Sequence, residues 1–241
     1  MSSDKKEALY EHVRALRRVL VVSAAAVGVL FVLFFYLFCN QLVDFVLAPV
    51  RSRGIDVIAT AVSEALMIQL KVCLVAAVVA GMPVIIQQVW SFISPALYPH
   101  EKRLFAGLFF AALILFVTGV AFCYLYVFPL AINLFWAASD TVAPAMWSVN
   151  EYFDFVLSFV LPFGLMFELP VVIFMLARRG MVNYAKLAKA RKYVLLAIAV
   201  AAAVLTPPDV VSQCMLGLPM YVLYEIAVQL SRFVRPVNAE A

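Results

Sequence analysis

Glu168 stands near the middle of LPFGLMFELPVVIFML, residues 161–176, a stretch that is otherwise almost wholly apolar and carries Pro162 and Pro170 on either side of the acid. A carboxyl group at bilayer depth costs at least about 2.5–3.5 kcal/mol on insertion scales, and such groups mark a pathway, a partner or a water-filled cavity. Counted from about Tyr152, Glu168 lies roughly 24 Å along a helix, too deep for its short side chain to reach a surface. Two roles are open to it. It could hydrogen-bond carbonyls freed by Pro170, or it could meet a cation or a donor brought by another molecule.

Asp209 follows Pro207 and Pro208 where a helix N-cap is wanted, and Gln213 lies one turn further on the same face. Capping is one reading of the pair. The other is that a submerged Asp and Gln face the buried Glu across one polar cavity. Glu225 either reaches the interface, pairs with Arg232 seven residues on, or serves a function. Lys71 is close enough to a span end to snorkel outward.

A different kind of chemistry is offered by SFISPALYPHEKR, residues 91–103. Ser94 and Pro95 read as the N-cap and first position of a short turn, and Pro99 opens the next long helix with Glu101 in its first turn. Glu101 has a structural role available there, complementing the helix dipole. Phe92, Ile93, Leu97 and Tyr98 nevertheless leave an apolar surface beside that carboxylate. The combination suits a ligand whose positive charge is followed by apolar residues.

Other chemistries lack their parts. The chain has no phosphate-binding loop of the form G-x-x-x-x-G-K-[ST] and no G-x-S-x-G elbow. His100-Glu101 begins like the zinc motif H-E-x-x-H but lacks the second histidine, and His12 is the only other histidine. No enzymatic activity, metal or cofactor is expected. The four cysteines, Cys39, Cys73, Cys123 and Cys214, lie in or at the ends of apolar runs and read as small packing residues, with a Cys39–Cys123 disulfide left open.

The elements that must position these groups are membrane helices. With 66% hydrophobic and 13% charged residues and a mean hydropathy of +1.04, the chain of 241 residues lies far from soluble composition. Runs of roughly 20 apolar residues cross a bilayer as helices, which predicts six spans in an all-α membrane fold at about 19–39, 65–89, 104–128, 153–177, 193–205 and 210–230. The fifth is short, so the bend at Thr206–Asp209 should lie sunken or thin the bilayer. Of the 18 Lys and Arg residues, fifteen fall in segments that are cytoplasmic if both termini are inside, only Arg51 and Arg53 fall outside, and Lys71 lies within a span. The N-terminal segment reads as retained and cytoplasmic, not as a signal peptide. Residues 1–241 read as one domain, with chain breakers at Ala48-Pro49, Tyr98-Pro99 and Pro207-Pro208 where turns are needed.

Four stretches then carry a resemblance: VWSFISPALYPHEKR at residues 89–103, YVFPLA at 126–131, FGLMFELPV at 163–171 and LTPPDVVSQ at 205–213. They are spread over most of the chain, and the first and last are long and specific. On these residues the sequence resembles the TatC family, the multispanning subunit of the twin-arginine protein translocase. The resemblance implies a cupped bundle of six helices in the bacterial inner membrane that receives folded proteins whose N-terminal signals carry an Arg-Arg pair and then an apolar stretch. It implies export driven by the proton motive force, single-span TatA and TatB partners, self-association in a larger complex, lipid contact and no nucleic acid. It assigns Phe92 and Glu101 to signal recognition, since a carboxylate can hold a guanidinium by two parallel bonds. It assigns Glu168, Asp209 and Gln213 to a polar membrane face that meets partner helices or the inserted signal. Pro49, read from the sequence alone as a chain breaker, is expected in a structural loop.

The chain departs from the family pattern in one place. Family members read like H-L-x-E-L-R near the N-terminus, whereas this chain has His12-Val13-Arg14-Ala15-Leu16-Arg17. Arg17 keeps the closing arginine of that signal-binding motif, but the carboxylate is missing at Ala15. Glu11, one helical turn earlier, stands where it could substitute. From a different class, an ion-coupled secondary transporter of a small solute would also place carboxylates near mid-membrane, although the chain lacks the inverted repeats such carriers often show.

Overall fold

A computed structural model describes residues 3–93, 102–140, 146–206 and 209–234. Apart from two short strands and single turns, the described residues form helices: α1 (Ser3–Leu37), α2 (Cys39–Arg51), α3 (Glu64–Ile93), α4 (Lys102–Phe122), α5 (Phe128–Asp140), α6 (Val149–Phe167), α7 (Leu169–Arg178), α8 (Tyr184–Leu205) and α9 (Val210–Leu230). Five stretches are long and apolar enough to cross a membrane: Val13–Leu37, Glu64–Ser91, Ala106–Ala137, Val149–Arg178 and Val210–Phe233. They contain or closely match five of the six expected spans. The remaining one lies in α8, whose first turns carry Lys186, Lys189, Arg191 and Lys192 and leave only residues 193–205 as an apolar run.

The described residues group into two compact units. The first comprises residues 1–45 and 65–113. Here α1 runs beside α3 at Gly81, where an added Cβ would come 3.3 Å from Val27 Cγ2 and 3.5 Å from Leu30 Cδ1. None of the most apolar window of α1 is buried within the protein. Lipid or another chain must cover it, because lipid tails are as apolar as the side chains and supply no drive for further burial.

The second unit comprises residues 46–64 and 114–241. Two of its glycines let α4 and α6 approach closely, Gly119 against backbone and Gly164 against an aromatic ring. A Cβ on Gly119 in α4 would lie 2.8 Å from the Phe163 carbonyl oxygen in α6, and one on Gly164 would lie 2.5 Å from Phe116 Cε2. Phe122 packs against Phe163 and Phe167 at ring separations of 6.0 and 5.8 Å beside this crossing. At its far end α9 packs on α7 and α8 through Ile173, Tyr224, Ala227 and Val228, with Leu187 and Val194 against them.

Prolines shape these helices. Pro129 has no N–H to continue the ladder, and just before it the helix widens into a π-helical turn at Cys123–Val127, closed by the Phe128 N–H bonding the Cys123 carbonyl. The helix then runs on to Asp140, twelve residues beyond the expected end of the third span. The expected single helix over 153–177 is likewise two. Pro170 cannot donate to the Met166 carbonyl, and at Glu168 the ladder tightens, with the Glu168 N–H bonded to Leu165 at 3.1 Å before α7 resumes through Val172 N–H to Glu168 at 3.0 Å.

Outside the spans the structure departs from expectation at Pro49. It lies inside α2 and not in a loop; the chain turns five residues later, at Gly54, whose φ of 68° is left-handed. The Pro49 carbonyl accepts from Ser52 Oγ at 3.1 Å and Arg53 Nη1 at 2.6 Å, and Arg53 Nε reaches Asn133 Oδ1 at 2.9 Å. Beyond this turn β1 (Asp56–Ile58) pairs in parallel with β2 (Met146–Ser148) in the register Val57 with Trp147. All four cysteines are free, so Cys39 and Cys123 are not joined.

Candidate functional site

Glu168 is the only residue between α6 and α7. It keeps near-helical angles, φ −76° and ψ −18°, so the break changes the hydrogen-bond ladder more than the direction of the chain. Its side chain is half-buried. One carboxyl oxygen, Oε1, is inaccessible and has no hydrogen-bond partner in the protein. The structural role considered for this acid, bonding carbonyls released by Pro170, is therefore not made by that oxygen. Leu165 and Val172, three residues before and four after, are 54% and 46% exposed. Glu168 thus sits at the margin between a packed face and a membrane-facing stripe. An inaccessible polar atom left unpaired costs about 1–3 kcal/mol.

Asp209 and Gln213 are adjacent in the first turn of α9 but already have partners. Asp209 caps the helix, accepting from Ser212 N–H at 2.6 Å. Gln213 Nε2 donates to the Ala199 carbonyl of α8 at 3.0 Å, tying the ends of α8 and α9 together across the Thr206–Asp209 bend. The level of Glu168 along α9 follows from α7: Ile173 clusters with Tyr224–Val228, α8 runs antiparallel to α9, as the Arg191–Glu225 and Gln213–Ala199 bonds require, and α7 turns back into α8 within five residues. Five residues earlier on α9 is about Met220, which puts Gln213 about 10 Å and Asp209 about 16 Å further along the axis. The three polar groups are therefore strung along the helix axis, with Asp209 and Gln213 together at one end.

Glu225 has a partner that the sequence did not suggest. Arg191 on α8 grips it with two parallel bonds, Nε to Oε2 at 3.0 Å and Nη2 to Oε1 at 2.5 Å, and Gln229 Nε2 adds a third at 2.8 Å. Arg232, one of the alternatives the sequence left open for Glu225, instead bonds the Tyr184 hydroxyl, with its guanidinium carbon 4.0 Å from that ring's centroid. The Arg232 bond holds the Tyr184 hydroxyl below the usual tyrosine range. Tyr224 completes the cluster by donating to the Leu187 carbonyl at 2.8 Å. The i, i+4 spacing of Glu225 and Gln229 was visible in the sequence; the third partner, 34 residues away, was not.

Of the residues expected to read a charged signal, Arg17 is exposed on α1, and Glu11 lies in the same continuous helix one turn before Ala15. Phe92 falls in the last turn of α3. The expectations for Ser94, Pro95, Pro99 and Glu101 lie outside the described residues.

Several long apolar helices, a carboxyl held without a protein partner inside one stretch long and apolar enough to cross a membrane, and the cations at the end of α7 and the start of α8 define a polytopic α-helical membrane protein of the transport class. Comparison with known proteins sharpens this. Residues 11–219 match the family model described as Sec-independent protein translocase protein (TatC). Relatives carrying that name include those of Carboxydothermus hydrogenoformans, 35% identical over 97% of this chain and 96% of the relative, Haemophilus influenzae, 35% over 99% and 94%, and Escherichia coli, 38% over 97% and 91%. The crystal structure of the twin-arginine translocase receptor TatC superposes with a TM-score of 0.86 at 34% identity, covering 92% of this chain and 98% of the other. The chain belongs to the TatC family.

Proposed function

We propose that this chain is the receptor and core subunit of a twin-arginine translocase in a bacterial inner membrane. It binds the N-terminal signals of folded proteins at the cytoplasmic face and nucleates assembly of the translocase for export driven by the proton motive force. Six spans with both termini in the cytoplasm fit the placement of fifteen of the 18 Lys and Arg residues. Glu101 holds the arginine pair by a bidentate bond, Phe92 receives the apolar part of the signal, and Glu11 with Arg17 supplies the second charged contact. TatA- and TatB-type helices, and further copies of this chain, dock along the membrane face marked by Glu168, with Asp209 and Gln213 shaping its other end.

The observation that carries this reading is Glu168 Oε1, inaccessible and unpaired beside an exposed apolar stripe. Turned toward the stripe of Leu165 and Val172, the carboxyl would meet a polar side chain that a partner helix brings to that level, and low dielectric would make the contact selective. Photocrosslinkers placed at positions 101 and 168 test both halves. A twin-arginine precursor should crosslink at 101 and its Lys-Lys version should not, while single-span subunits should crosslink at 168. Equal crosslinking of both precursors at 101, or only lipid adducts at 168, would refute the assignment. Glu11→Ala should weaken binding of a twin-arginine peptide as Glu101→Ala does; unchanged binding would remove Glu11 from the site.

A further inference from the structure

The first unit holds a second cluster that the receptor role does not use. Cys39 opens α2, immediately after the single-residue break at Phe38, and the helical hydrogen bonds continue through that break at 3.0 Å on both sides. Helices α1 and α3 are in contact where Leu30 meets Gly81. From Leu30 to Cys39 is nine residues, about 13 Å along the axis, and from Gly81 back to Cys73 is eight, about 12 Å. Antiparallel helices therefore bring the two cysteines to one level. A cavity of about 250 Å³ agrees with that level, since Cys39, Asn40 and Gln41 line one side of it and Gln69, one turn before Cys73 on α3, lines the other. Cys39 is half-buried beside the cavity, and Cys73 is fully buried.

We propose that Cys39 and Cys73 are a modification site, a dithiol that closes reversibly to a disulfide and pins the α1–α2 junction to α3. The oxidant is a disulfide-bearing thiol compound or protein. The accessible Cys39, as thiolate, attacks one sulfur of that disulfide and expels the other as a thiolate, giving a mixed disulfide. Cys73 then gives up its proton, attacks Cys39 Sγ and releases the second thiol. Two protein thiols are oxidised and one external disulfide is reduced to two thiols. The inference rests on the orientation proposed above only for its setting, because that orientation puts this end of α3 outside the cytoplasm, where disulfides form and persist.

Purified full-length protein makes the test independent of orientation. It is incubated with glutathione disulfide or with dithiothreitol, denatured, and labelled with a maleimide polymer that shifts its gel mobility once per free thiol. The reduced wild type should take four labels and the oxidised wild type two, with Cys123 and Cys214 the ones remaining and a linked Cys39–Cys73 peptide found by mass spectrometry. Cys39→Ser should take three labels under both conditions. Four labels on the oxidised wild type, or a linked peptide joining any other pair, would overturn the proposal. The wild-type measurement decides the matter even if a serine variant folds poorly.

Discussion

Replacing Gly119 by alanine tests the close crossing of α4 and α6 that supports the Glu168 break. The new Cβ would lie 2.8 Å from the Phe163 carbonyl oxygen and 2.9 Å from the Phe167 ring. Comfortable heavy-atom separations are about 3.5–4.0 Å, so the helices must part by more than half an ångström. A backbone oxygen cannot swing aside as a side chain can. Overpacking of this kind costs about 1–3 kcal/mol, against which alanine gains up to about 1 kcal/mol of helix propensity. Gly28 in α1 has nothing within 4 Å of its added Cβ, so Gly28→Ala reports the propensity gain alone. The difference between the two variants isolates the clash, and Gly119→Ala should be the less stable by about 1–3 kcal/mol. Unfolding of purified protein in mixed micelles, titrated with SDS and followed by helicity, measures it. Gly164→Ala behaves differently, because its Cβ meets the edge of the Phe116 ring at 2.5 Å. Phe116→Leu should therefore rescue part of that loss, whereas Phe167→Leu should not rescue Gly119→Ala. If Gly119→Ala were as stable as Gly28→Ala, the contact between α4 and α6 would not exist as described.

Two further expectations concern the polar groups. Asp209→Ala should lower stability by about 1 kcal/mol through loss of the cap to Ser212, and Asp209→Asn should leave it nearly unchanged because the amide oxygen caps as well; thermal unfolding of both variants in detergent decides between capping and a need for charge. Arg191→Ala and Glu225→Ala should each loosen α8 from α9, with the double variant no worse than the more severe single one, and Arg191→Lys should recover only part of the loss because lysine cannot form the two-pronged bond. Hydrogen exchange of the amides of α8 reads this cycle directly.

Much of this molecule was legible in its residues. The length of the apolar runs placed α9 at Val210–Leu230, with Asp209 as its cap, because a bilayer demands about 20 apolar residues and a helix start demands a side-chain acceptor. The inner-loop and Pro-Pro-Asp stretches carried the family resemblance. Tertiary structure decided the rest, wherever the partner is remote in sequence. The grip of Arg191 on Glu225, the pairing of Val57 with Trp147 and the Arg53 bond to Asn133 join residues 34, 90 and 80 positions apart, and no local periodicity encodes which of several cations or strands will arrive. The common level of Cys39 and Cys73 is of the same kind, since helices report which face is apolar but not which neighbour they turn it toward. Proline shows the boundary between the two. Its missing N–H predicts a defect at Pro83, Pro129, Pro162, Pro170 and Pro219 alike, yet Pro83, Pro162 and Pro219 lie inside continuous helices, while a π-helical turn precedes Pro129 and a one-residue break with an unpaired carboxyl oxygen precedes Pro170.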